Sequence, residues 1–207
     1  MTEKKKPFWE ESYKRPGKLD TFGGGKPNKD VVKVASTLPV GLTALDIGCG
    51  EGRDALYLSS LGFKTSACDI SESGIRKLRE MTNERGFEID ASVCDMREYI
   101  FPHDFDLIIC QGCLHLIERE EWDLLIKRMK EFTSPGGQHV VGVFTDTVPE
   151  PEDQRGLMVG LFKEGELFEQ YRDWVIVESN SFRFHHTHPG GISHEHAGNN
   201  IIAKKSG

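Results

Sequence analysis

Apolar and polar positions along the chain follow two different periods. Short segments at 43–47, 64–69, 89–94, 105–110 and 139–144 have the length of strands. Stretches at 53–61, 71–85 and 119–132 instead space their apolar residues as one face of a helix, and a further helix is expected over 29–37, after Pro27 and Asn28. Gly62 and Gly86 stand where the first two helices should close, and Ser71 stands where a cap belongs. The run at 105–110 is almost wholly apolar, which suits a sheet centre covered on both faces. Strands alternating with helices predict an α/β layer fold with a mostly parallel sheet. After Phe144 the pattern changes. A segment rich in Pro, Glu and Asp covers 146–156, and a short helix is expected at 164–171. Two β-like stretches, 174–186 and 194–203, flank Pro189-Gly190-Gly191 and predict an antiparallel hairpin on the sheet edge.

Residues 1–25 are polar apart from Phe8, Trp9, Tyr13 and Phe22, and they end in Gly23-Gly24-Gly25. This is the pattern of a mobile arm or lid, followed by a single domain over 26–207 whose hairpin occupies about 174–204. The 207 residues carry a net charge of −7, which argues against a general binder of nucleic-acid backbone. The basic residues at 4–6 and 14–18 read as a solvated tail. No apolar run approaches the roughly 20 residues of a membrane helix, and the N-terminus lacks a signal-peptide core, so a cytoplasmic protein is expected. Cys49, Cys68, Cys94, Cys110 and Cys113 read as reduced, small core residues. Cys110 and Cys113 form a C-x-x-C without the second pair of a zinc site, so no metal is expected.

The chemistry concentrates in Leu45-Asp46-Ile47-Gly48-Cys49-Gly50-Glu51-Gly52-Arg53: an apolar strand, an acid, three alternate glycines and a helix start. Glycines let a ligand lie against backbone, and the helix start offers N–H groups. The spacing is G-x-G-x-G, neither the dinucleotide fingerprint nor a phosphate loop, and Asp46 suits a cationic ligand. In an open parallel sheet the ligand lies beyond the carboxyl ends of the strands. Strand two ends in Asp69, which is placed to accept both hydroxyls of a ribose or to cap the next helix with Ser71. Strand three ends in Cys94-Asp95-Met96, an acid for an adenine amino group and a flexible side chain for the ring face, or a turn acid and a core residue. Strand four ends in Gln111-Gly112. Arg53 is either solvated or meets a carboxylate or an anionic substrate, and Cys49 reads as packing.

Together these residues resemble class I S-adenosylmethionine-dependent methyltransferases. The match runs from Leu45 to Phe144 and includes Ser134-Pro135-Gly136-Gly137 before strand five. The resemblance implies a Rossmann-like, doubly wound seven-stranded sheet, with S-adenosylmethionine as cofactor and S-adenosylhomocysteine as product. It implies that Asp46, Gly48, Cys49, Gly50, Gly52 and Arg53 surround the methionine end and that Asp69 holds the ribose. Asp95 and Met96 would hold the adenine, and Gln111 would lie near the sulfonium. Tyr13 from the arm and Ile70 beside Asp69 are expected in the same cofactor set.

Within that class the chain resembles tellurite-resistance methyltransferases. The motifs are Gly48 to Leu58, Phe162-Lys163-Glu164-Gly165-Glu166-Leu167 with Tyr171 and Trp174, and His185-His186-Thr187 before a final Ala203-Lys204-Lys205. The resemblance implies methyl transfer to a small soft nucleophile, such as a tellurium or selenium oxyanion, with His185 and His186 at the acceptor. The family pattern has Arg where this chain has His186; imidazole must be protonated to hold an oxyanion, whereas guanidinium is always charged. His115 is a general base or a shape-filling residue. The five histidines between 185 and 196 are exposed strand residues, an acceptor pocket or a metal site. Neither a nucleic acid nor a membrane is expected as partner, and the protein is expected to be a monomer or homodimer. An organic thiol or hydroxyl acceptor is the alternative. The remaining readings are a non-catalytic cofactor-binding module and a nucleotide-dependent oxidoreductase, the latter opposed by the glycine spacing and Asp95-Met96.

Overall fold

The computed structural model describes residues 8–17, 19, 21–150, 154–187 and 193–207, with Phe8, His186 and Thr187 described by backbone alone. The predicted turn at 189–191, His188 and the lysines at 4–6 and 18 lie outside it. The chain divides into two compact units, Met1–Ile100 and Phe101–Gly207.

The first unit comprises α1 (Phe8–Tyr13), a tight helical turn at Gly23–Gly25, α2 (Lys29–Ala35), β1 (Thr43–Ile47), α3 (Arg53–Ser60), β2 (Lys64–Asp69), α4 (Glu72–Arg85) and β3 (Ile89–Val93). All but the first two were expected, with ends shifted by a residue or two. β1 pairs parallel with β2, and β2 with β3. Ala44, Leu45, Asp46 and Ile47 are all buried, which is why the β1 run is continuous rather than alternating. α3 and α4 supply Ala55, Leu56, Ile75 and Leu78 to a cluster with Ala67 and Ala91 from the strands. Their caps are those the sequence indicates. Asn28 Oδ1 accepts the Asp30 N–H at 2.8 Å before α2, Ser71 Oγ accepts the Gly74 N–H at 3.0 Å, and Gly86 closes α4 in the left-handed conformation.

The second unit comprises β4 (Phe105–Gln111), a 3₁₀ turn at Leu114–Leu116, α5 (Arg119–Glu131), β5 (Thr133–Phe144), α6 (Glu166–Gln170), β6 (Val175–Thr187) and β7 (Ser193–Lys204). α5 opens with a reciprocal cap between Glu118 and Glu121. Its Trp122 stacks on Phe162 at 4.0 Å and donates its indole N–H to the Gly160 carbonyl at 3.1 Å. β5 begins six residues earlier than the pattern predicts. Phe105 faces Thr133 but Leu107 faces Gln138, so two steps along β4 match five along β5 and the Pro-Gly-Gly segment bulges within the strand. β4 and β5 are parallel, whereas β7 runs antiparallel to both β5 and β6. The seven strands form one mixed sheet in the order β3-β2-β1-β4-β5-β7-β6. The fold class and the edge hairpin are as expected, with β6 outermost. No helix among the described residues is long and apolar enough to cross a membrane.

Candidate cofactor and acceptor sites

In the first unit the glycine turn is pinned by β2. The Gly48 and Cys49 N–H groups both donate to the Cys68 carbonyl, at 2.8 and 3.0 Å. Asp69 then holds the turn and the next helix together. One carboxylate oxygen accepts the Gly50 N–H and the other the Ser71 N–H, each at 2.8 Å. Burial raises its pKa, partly offset by those two hydrogen bonds. Capping and turn-holding use one lone pair on each oxygen, so a second remains on each for hydroxyl donors. Asp46 is buried at the end of β1. Burial first, and neighbouring Asp54 second, push its carboxyl well above the usual range, against the opposing effect of Arg53. A buried acid of this kind favours a cationic neighbour. Arg53 is half-buried, with Nε 3.5 Å from Asp54 Oδ2, and its guanidinium lies against Gly23, whose positive φ of 59° favours glycine. Cys49 is buried and its thiol is raised by that burial, consistent with packing rather than reactivity.

Tyr13 is buried and lies over the same turn. Its hydroxyl would be 2.5 Å from a Cβ at Gly50, which also has a positive φ of 57°, so glycine is required there twice over. Its pKa is raised well above normal by burial and then by Asp69 and Glu51. Of the remaining expected residues in this unit, Ile70 is 68% exposed directly after Asp69, and Met96 is half-buried. Asp95 is already engaged. Arg97 forks onto it with Nη2–Oδ2 at 2.5 Å and Nε–Oδ1 at 2.9 Å, which lowers the carboxyl pKa. An adenine amino group would share Asp95 with this guanidinium.

In the second unit Gln111, Gly142, Asn200 and Asn180 stand in register across β4, β5, β7 and β6. Gly142 leaves space for the Gln111 and Asn200 amides, either of which a Cβ would strike. Two residues further along the same face comes Phe144. His115 stacks on it at 4.5 Å and His196 at 4.7 Å, and Phe184 approaches His196 at 5.3 Å. His115 Nδ1 accepts the Phe144 N–H at 3.2 Å, so its other nitrogen carries the proton. Burial, followed by His196, lowers the His115 pKa to about 3.

The structure therefore brings His115 together with His196, which the sequence offers only as one of five late histidines, and not with His185. His185 is exposed and faces Glu195 across the hairpin, on the side of the sheet opposite to Phe184 and His196. His186 stands opposite His194 in register, with only its backbone described. Histidine spacing on two strands carries the signal for His196, but the register was needed to pair it with Phe184. Glu51 and Lys77, a buried ion pair of the first unit, also escaped notice because nothing in the sequence joins residues so far apart. Among the described residues, no three of His, Cys, Asp and Glu gather as a metal site.

A family profile described as "Tellurite resistance protein TehB" matches residues 18–195. The chain is 33% identical over 153 residues to a Haemophilus influenzae protein named "Probable S-adenosyl-L-methionine-dependent methyltransferase TehB", covering 73% of this chain and 51% of that one. The crystal structure of TehB from Haemophilus influenzae superimposes with a TM-score of 0.77 at 29% identity, covering 86% of this chain and 62% of that one. The N-methyltransferase NodS from Bradyrhizobium japonicum, in complex with S-adenosyl-L-homocysteine, shares the fold with a TM-score of 0.65 at 17% identity, covering 85% and 84%. The chain spans about half the length of the curated TehB relatives it matches. It belongs to the TehB tellurite-resistance family and has the Rossmann-like fold of S-adenosylmethionine-dependent methyltransferases.

Proposed function

We propose that this chain transfers a methyl group from S-adenosylmethionine to a small soft nucleophile, with a tellurium or selenium oxyanion as the acceptor class. The observation that carries the cofactor assignment is the strand-end arrangement of Asp46, the pinned Gly48–Gly52 turn and Asp69. Asp46 offers a buried acid to a cation, the glycines offer open backbone, and Asp69 keeps acceptor capacity for ribose hydroxyls. When bound, the cofactor supplies an electrophilic methyl on a sulfonium. The chain's own task is to hold the nucleophile in line and exclude water.

The state of His115 supports a soft acceptor. Its Nδ1 is occupied by the Phe144 N–H and its pKa is about 3. It is thus a neutral donor through Nε2, not a general base at neutral pH. A chalcogen lone pair needs no deprotonation, whereas a hydroxyl acceptor does. Five cysteines that read as reduced core residues fit the cytoplasm as the compartment. A second reading, a flat organic acceptor, is favoured by the stacked Phe144, Phe184 and His196.

A methyl-transfer screen with labelled cofactor over tellurite, selenite, thiols and phenols tests both. Labelled product from tellurite or selenite is expected. Transfer to phenols alone would install the organic reading. Absence of calorimetric binding of S-adenosylmethionine would end both.

A further inference from the structure

Two charged side chains of the first unit have no part in the roles above. Glu51 lies within the glycine turn and Lys77 on α4, and they are only 4% and 3% exposed. Glu51 Oε2 and Lys77 Nζ are 2.7 Å apart. A buried ion pair is a poor means of stabilising a fold, since apolar side chains of the same volume serve as well or better. Its contacts therefore matter more than its charge balance. The other Glu51 oxygen accepts the Thr21 N–H at 2.9 Å, and Lys77 Nζ reaches the Ser12 carbonyl at 3.4 Å. Each charge thus holds one point of the segment that precedes α2. Two further contacts fall on the same stretch. Tyr13, next to Ser12, lies against Gly50 and Gly74, and Gly23, two residues after Thr21, lies against Arg53.

We infer that the Glu51–Lys77 pair is a latch that holds the N-terminal segment on the glycine turn, making Glu51 and Lys77 positioning residues for the cofactor. The inference rests on the cofactor assignment above. The latch fixes Ser12 and Thr21, and through them Tyr13 over the turn against which the methionine end would lie. With Glu51 and Lys77 engaged by each other, Thr21 and Ser12, both act through the segment they hold. Binding linkage then demands reciprocity: if the latched segment tightens cofactor binding, the cofactor must hold the segment down by the same factor.

The test uses S-adenosylhomocysteine, the whole 207-residue chain and two kinds of variant. Glu51→Met with Lys77→Met removes both charges together, so neither is left buried alone, and it cuts both ties. Thr21→Pro removes one tie by deleting the N–H donor while leaving the ion pair intact. Calorimetry is expected to show the dissociation constant rising at least tenfold in the double variant and several-fold in Thr21→Pro. Thermolysin cleavage around Phe22 to Gly25 is expected to slow when ligand is added to the wild type and to be unaffected by ligand in the double variant. A folded double variant that binds with wild-type affinity overturns the latch. If the double variant does not fold, wild-type affinity in Thr21→Pro overturns it instead. A wild type that binds no S-adenosylhomocysteine overturns the methyltransferase reading and the latch with it.

Discussion

Asp69 takes up the capping role that its sequence position left open, and does so without excluding the ribose role. As a cap it accepts the Ser71 N–H, as a turn-holder it accepts the Gly50 N–H, and it retains acceptor sites for a ribose. Asp69→Ala should therefore do two things. Loss of hydrogen bonds to a charged acceptor should weaken S-adenosylhomocysteine binding by about 1.5–3 kcal/mol, and two released backbone donors should lower the melting temperature. Asp69→Asn, which can still accept at one oxygen, should keep more of the melting temperature than of the affinity. Calorimetry beside thermal denaturation separates the two effects; unchanged affinity in Asp69→Ala would remove the ribose assignment. The histidines give the opposite lesson. Their residue types announced an acceptor region, yet strand alternation sends His185 to the exposed face and His196 to the Phe144 face. His196→Ala should lower kcat/KM on whichever acceptor the screen identifies, and His185→Ala should leave it near wild type. Equal losses from both would restore His185 to the site.

At the scale of elements, what was legible was what local chemistry decides. β1 and β4 announced themselves because burial on both faces makes continuous apolar runs, and Ser71, Gly86 and Asn28 marked helix ends by hydrogen bonds made within four residues. α1 escapes a periodicity reading because six residues are under two helical turns, too short to show a period; Tyr13 is buried against the glycine turn far along the chain. The early start of β5 was missed because Pro135-Gly136-Gly137 reads as a turn, and only pairing with β4 turns it into a bulge. The cap offers a clean check. Ser71→Ala removes the side-chain acceptor for the Gly74 N–H and should cost about 1 kcal/mol of stability in denaturant titration. Because the Ser71 backbone N–H still donates to Asp69, cofactor affinity should change far less than in Asp69→Ala. A loss of affinity as large as that of Asp69→Ala would mean that the cap, rather than the carboxylate, shapes the site.

For the whole molecule, the buried titratable groups set opposing responses to acid. His115 and His139 are both pushed down to about 3, chiefly by burial. Near His139, Lys130 and Lys205 add to the shift, while Thr133 and Tyr171 occupy its two ring nitrogens at 2.8 Å. In the unfolded chain each histidine takes up a proton near pH 6.5, and in the folded chain it does not until far lower pH. Their contribution is therefore complete above about pH 6.5 and is lost steadily as pH falls towards 3, reaching about 2 kcal/mol per histidine at pH 5. Asp46, Asp54 and Asp69 work the other way. Their raised pKa values mean that the folded state gains protons first, so acid favours it through their titration. The wild-type curve sums these two sets with other groups such as Asp95, whose lowered carboxyl pKa also means stability lost in acid, and its net slope identifies none of them. Replacing one histidine by a residue that does not titrate isolates one term. His115→Gln and His139→Gln will each lower stability at pH 7 through lost packing, but the further loss between pH 7 and pH 5 should shrink by about 2 kcal/mol in each. Urea titrations at the two pH values measure that change directly. Curves parallel to the wild type would mean that these imidazoles titrate normally in the folded protein, and with that the argument that His115 is a neutral donor would fall.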